Sequence, residues 1–136
     1  MLELTDPARI TAGIVLLAAI TVTTGGWLLT QIIQGRVEAT GFQKSFYRAG
    51  HAHAGVLIVL GLICLLLTEA TSLTGGWLWL SRTGVLIAAI VMPAGFFFSS
   101  LGKGRTEPSR WILLLWVGAG FLIAGLATCA IGLLLS

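Results

Sequence analysis

Apolar residues in this chain come in long unbroken runs, not in the alternation of a half-buried strand. Four runs stand out, at residues 8–30, 48–67, 78–100 and 111–135. A helix needs about 20 mainly apolar residues to cross the ~30 Å hydrocarbon layer of a bilayer. Each run is long enough. In lipid every backbone N–H and C=O must find a partner within the protein, which favours helices over irregular chain. The pattern therefore predicts an all-α, polytopic membrane protein: a four-transmembrane-helix bundle forming one domain over residues 1–136. Three short connections join the runs.

Local signals mark the helix ends. Asp6-Pro7 reads as an N-cap followed by proline in the first turn. Ser81 is a candidate cap for the third helix, although Trp77 and Trp79 just before it suit a helical start. Pro108-Ser109-Arg110 opens the fourth. Pro93 lies inside the third run, where it removes a backbone donor and is expected to kink the helix. The first run does not read as a cleaved signal peptide. Glu3 and Asp6 precede it against a single Arg9, and its apolar stretch is too long.

Composition agrees with the pattern. Of 136 residues, 57% are apolar and only 10% are charged, and mean hydropathy is +0.99. Soluble domains carry about 25% charged residues. So few charges exclude a soluble enzyme and a disordered chain. The pI of about 9.4 does not imply nucleic-acid binding, because the basic residues are few and scattered. Their placement predicts orientation instead. Arg36, Lys44 and Arg48 lie in or near the first connection, and Lys103, Arg105 and Arg110 in or near the third. The second connection has Arg82 and the N-terminal segment Arg9. Connections one and three are expected in the cytoplasm and both termini outside, in a bacterial plasma membrane. Trp27, Trp77, Trp79, Trp111 and Trp116 are expected near helix ends, at headgroup level.

Small residues recur on one side of each run. The first has Ala12, Ala19, Thr23, Gly26 and Thr30; the second Gly50, Ala54, Gly61, Cys64 and Thr68. The third has Gly84, Ala88, Gly95 and Gly102; the fourth Gly118, Gly125, Cys129, Gly132 and Ser136. Such stripes let membrane helices approach closely, which predicts a tight bundle that also self-associates. Cys64 and Cys129 fall on two stripes. They read as small buried apolar residues, with a disulfide open if the backbones come within about 7 Å. An echo between residues 21–28 (TVTTGGWL) and 71–78 (TSLTGGWL) reads as shared interfacial composition at the end of one helix and before another, ahead of an old duplication.

Candidate chemistry concentrates in FQKSFYRAGHAHAG, residues 42–55, which holds both histidines of the chain. Ionisable groups at membrane depth are costly and point to function. On a regular helix His51 and His53 project about 160° apart, so the pair cannot hold one metal. His53 shares the small-residue stripe with Gly50, Ala54 and Gly61. His51 falls on the side of Gly55, Ile58 and Leu62, with Tyr47 one turn before it and in position to hydrogen-bond it. Three readings of His53 stay open: a hydrogen-bonded structural histidine, a haem or metal ligand, and a proton relay. A second axial ligand, or the three ligands of a copper or zinc site, would have to come from another subunit. Glu69 is expected to be an interfacial carboxylate, too far along the axis to partner His51.

The run R-x-x-H-x-H, Arg48 to His53, at the start of a second helix resembles the small four-helix membrane relatives of haem–copper oxidase subunit I, in the cbb3-type and nitric oxide reductase branch. The resemblance covers residues 8–69. It departs after H-A-H, where Ala54 and Gly55 stand in place of leucine and asparagine. It implies a low-spin haem ligand at His53 or His51. By analogy with the three four-helix arcs of the large subunit, it also implies a homotrimer.

The leading expectation is thus a small, self-associating membrane protein that binds haem or a transition metal (copper, zinc or iron). His53 would be ligand, His51 second ligand or partner, Arg48 a propionate or headgroup contact, and Tyr47 a neighbour of His51. One alternative is a non-catalytic accessory or scaffold subunit of a larger membrane complex. Another is a small channel or transporter. No paired-carboxylate, nucleophile–base or phosphate-cradling motif points to ordinary enzyme chemistry.

Overall fold

The computed structural model describes residues 3–136, and all regular structure within them is helical. The elements are α1 (Asp6–Ala19), α2 (Val22–Ile33), α3 (Gly41–Thr68), α4 (Gly75–Ser100) and α5 (Leu113–Leu134). A 3₁₀ turn, Arg110–Ile112, leads into α5. Counting α1 with α2 as one span, four helices are long and apolar enough to cross a membrane.

The first span is not one regular helix. Its continuity breaks at Ile20–Thr21, where backbone bonds tighten to the i−3 pattern. The hydroxyls of Thr21, Thr23 and Thr24 each donate to the carbonyl three residues back, at 2.6 Å. Such threonine back-bonding bends helices. At the N-terminus Thr5, not Asp6, is the N-cap residue. Asp6 lies inside the first turn and pairs with Arg9.

α3 starts at Gly41, seven residues before the expected start, because Thr40-Gly41-Phe42-Gln43 forms a capping box. The Thr40 hydroxyl accepts from the Gln43 amide and donates to the Arg105 carbonyl. The buried Gln43 side chain accepts from the Thr40 N–H and donates to the Ser100 and Gly102 carbonyls at 2.9 and 2.7 Å. One residue thereby completes the start of α3 and the end of α4. α4 starts at Gly75 and runs through Pro93 to Ser100. Ser81 is consequently no cap. It is buried two turns inside α4, and its hydroxyl meets that of Thr68 at 2.6 Å.

The core is a three-helix unit of α3, α4 and α5, closed by glycines. A Cβ on Gly84 would lie 2.8 Å from the Gly125 Cα, and one on Gly125 would lie 2.9 Å from the Val85 nitrogen. Gly95 and Gly118 admit Leu115 and Met92 just as closely, and Gly61 admits Leu86. These stripes pack as expected. That of the first span does not: Thr23 and Thr30 are exposed, and Ala8 and Ile32 are the buried residues of α1 and α2. The first span leans on α3 at its two ends and at Gly25–Gly26, not along its length.

Both ends of the bundle are tied. Thr40, Gln43 and Arg105 join the first and third connections. At the other end, Glu69 accepts from the Thr5 N–H at 2.9 Å and from Arg82 Nε at 2.9 Å. Its side chain is 1% exposed, so Glu69, at the end of α3, is an enclosed ion-pair partner of Arg82. Desolvation alone would raise its pKa. The Thr5 and Arg82 hydrogen bonds and the guanidinium charge outweigh it and hold the carboxyl below its ordinary value.

Candidate cofactor groove at His51

The early start of α3 carries His51 about three turns into the helix, ~15 Å along the axis from Gly41. The helix turns the imidazole away from α4 and toward the first span. There α2 presents Gly25 and Gly26. A Cβ on Gly25 would sit 3.0 Å from His51 Nδ1, and one on Gly26 would sit 3.6 Å from Nε2. The imidazole therefore lies against bare backbone just past the threonine break. These two glycines make room for it.

Beside His51 a shallow, open groove runs along α3, and Val22 is its one wall from the first span. It has a volume of about 580 Å³ and is walled by Val22, His51, Ala52, Gly55, Val56, Val59, Leu60 and Ile63. His51 is the one polar side chain among these. A smaller cavity of about 340 Å³ lies on its other side, against Thr21, Thr24, Gly25 and Phe97. His51 borders both. Toward the basic end a third recess, about 160 Å³, lies between Leu29, Ile32 and Ile33 of α2 and Lys44 and Arg48 of α3.

The two imidazoles do diverge, as their spacing implies. His53 Nδ1 sits 2.8 Å from the Ala49 carbonyl. A carbonyl only accepts, so Nδ1 is the donor in this contact. The ring rests on Phe96, with centroids 4.9 Å apart. His53 thus has a local hydrogen bond and an aromatic neighbour on α4. His51 has no hydrogen-bond partner among the described residues. Tyr47 does not partner it either: its ring stacks on Phe97 at 5.8 Å. Arg48 is exposed on the side of the first span. Among the described residues, no three His, Cys, Asp or Glu side chains converge as a metal site would require.

The sequence singled out both histidines, Arg48 and Tyr47; the structure turns Tyr47 onto Phe97, and the groove was not foreseen. Gly25 and Gly26 read as interfacial composition at a helix end, whereas they lie mid-span beside His51. The run of threonines before them is the signal that marks a break. Cys64 and Cys129, left open before, are neighbours: both are buried free thiols in one cluster with Val85.

The chain matches no family model, no curated protein and no solved structure.

Proposed function

We propose that this chain is an integral membrane protein that binds a flat, amphiphilic, anionic cofactor of the haem type in the groove at His51. One observation carries the reading. A half-buried imidazole with no hydrogen-bond partner among the described residues faces an apolar groove of about 580 Å³. An ionisable side chain set against an apolar groove in a membrane-length helix marks a candidate ligand site.

The residues present fit a haem. His51 would supply a nitrogen ligand, Val56, Val59 and Ile63 apolar contacts, and Lys44 and Arg48 cations for the carboxylates at the basic end. When bound, a haem would supply one-electron transfer or binding of a diatomic ligand. The groove would fix its orientation. A mononuclear copper or zinc site within one chain does not fit, because His51 and His53 face different neighbours and no third ligand joins either. His53 keeps Nε2 available on the other side of α3, where a second copy of the chain would meet it. Self-association, as a trimer or otherwise, belongs to this proposal. So does the orientation, with the end bearing Arg36, Lys44, Arg48, Lys103, Arg105 and Arg110 in the cytoplasm.

A second reading has an observation of its own. The most apolar stretch of the first span buries nothing within the chain, as expected of an accessory subunit that packs that span on a larger partner.

The test is an ultraviolet–visible spectrum and iron analysis of protein purified in mild detergent, before and after addition of hemin. A Soret band that is lost in His51→Ala and kept in His53→Ala supports the proposal. Folded protein that gives no shifted, saturable Soret band on titration with hemin overturns it and leaves the accessory reading.

A further inference from the structure

Away from the groove, α3 and α5 meet at two cysteines. Cys64 and Cys129 are 4% and 3% exposed. The Cys129 thiol points at the Cys64 carbonyl, with Sγ 3.8 Å from the oxygen. The Thr68 hydroxyl lies 3.8 Å from the same sulfur and also bonds the Cys64 carbonyl, at 2.7 Å. Glycines bring both helices close to α4 beside the cysteines. Gly125, one turn before Cys129, lies against Gly84 and Val85, and Gly61, three residues before Cys64, lies against Leu86. Both thiols lie in one buried cluster with Val85 of α4.

We propose that Cys64 and Cys129 form a redox-active pair that closes to an intrachain disulfide linking α3 to α5, with a hydroperoxide as oxidant. One cysteine gives up its thiol proton and attacks the distal peroxide oxygen as the thiolate. The O–O bond breaks, and the sulfenic acid and an alcohol form, the alcohol taking the thiol proton. The second thiol then attacks the sulfenic sulfur, the S–S bond forms, and the S–O bond breaks to release water. Two thiols are oxidised by two electrons and one peroxide is reduced.

Charge favours this outcome over a soft metal ion held by two thiolates. A monovalent ion between two thiolates leaves a net negative charge in an apolar interior, which is costly there. Arg82, one residue from Ser81, is already committed to Glu69. The disulfide is neutral. Small membrane-permeant peroxides suit so enclosed a pair, whereas a protein disulfide carrier would not reach it.

The test treats the detergent-solubilised protein with hydrogen peroxide or cumene hydroperoxide, then unfolds it in SDS with iodoacetamide and measures intact mass. The expected product is a monomer 2 Da lighter that takes up no alkyl group; after reduction it takes up two. Cys64→Ala and Cys129→Ala should each abolish the mass loss. Recovery of two alkylated cysteines after peroxide, a disulfide between two chains, or direct conversion to sulfinic acid would overturn the proposal. The wild-type mass alone decides it, so a variant that folds poorly does not obscure the result.

Discussion

Glu69 and Arg82 form a nearly enclosed ion pair that joins the end of α3 to the first turns of α4. Arg82 Nε donates to Glu69 Oε1 at 2.9 Å, and Arg82 also donates to the Thr5 hydroxyl at 3.1 Å. Removing one partner leaves the other charged and buried, at a cost of about 3 kcal/mol. Glu69→Gln should therefore lower the melting temperature in detergent more than Asp6→Asn, because the Asp6–Arg9 pair is exposed. Equal effects of the two substitutions would show that the enclosed pair adds nothing.

The same pair sets a pH dependence. Glu69 is held below its ordinary carboxylate value in the folded chain. A depressed carboxylate stabilises the fold above its unfolded pKa, and that stability is lost as pH falls through the folded value. Melting temperature should hold steady from neutral pH to about pH 5 and decline below about pH 4.5. Glu69→Gln should flatten that acid limb while lowering the plateau.

Gln43 is the corresponding tie at the basic end. Its amide is the donor for the Ser100 and Gly102 carbonyls, which the end of α4 would otherwise leave unsatisfied. Gln43→Leu keeps the volume and removes both bonds together with the acceptor for the Thr40 N–H, so it should cost about 1–3 kcal/mol. Amide exchange of residues 101–107 should quicken in that variant. Unchanged exchange there would show that the loop is held by other contacts.

How much of this was legible in the sequence differs from element to element. The four long apolar helices follow from four apolar runs, each long enough to cross a bilayer. The divergence of His51 and His53 follows from two residues at 100° each. The start of α3 was missed because FQKSFYR is polar and the apolar run begins only at Arg48, although Thr40 and Gln43 stand at capping-box spacing. The role of Glu69 was missed because it depends on Thr5 and Arg82, 64 and 13 residues away. The groove runs along α3 beside His51, and no residue count states that.

The glycines divide into those that are needed and those that are not. A Cβ on Gly84 or Gly125 meets backbone atoms at 2.8 and 2.9 Å, whereas one on Gly76 or Gly120 meets nothing within 4 Å. Backbone cannot swing aside as a side-chain tip can, so α4 and α5 would have to separate. Gly84→Val and Gly125→Val should each cost about 1–3 kcal/mol. Gly120→Ala should be neutral or slightly stabilising, since alanine is the better helix former. Melting curves of the four variants, Gly76→Ala included, check the ordering.

Gly25 offers the sharpest separation of site from fold. It lies in a span that contributes little to the core, and a Cβ there comes within 3.0 Å of His51 Nδ1. Valine at this position adds bulk beyond that Cβ and pushes the imidazole off its seat while leaving α3, α4 and α5 untouched. Gly13 is a control in the same span, with nothing within 4 Å of its added Cβ. Hemin titrations should show at least a tenfold weaker affinity for Gly25→Val and an unchanged one for Gly13→Val, with similar melting temperatures for both. If Gly25→Val binds hemin as tightly as the unaltered protein, the ligand does not depend on where α2 seats His51, and the site lies elsewhere on the chain.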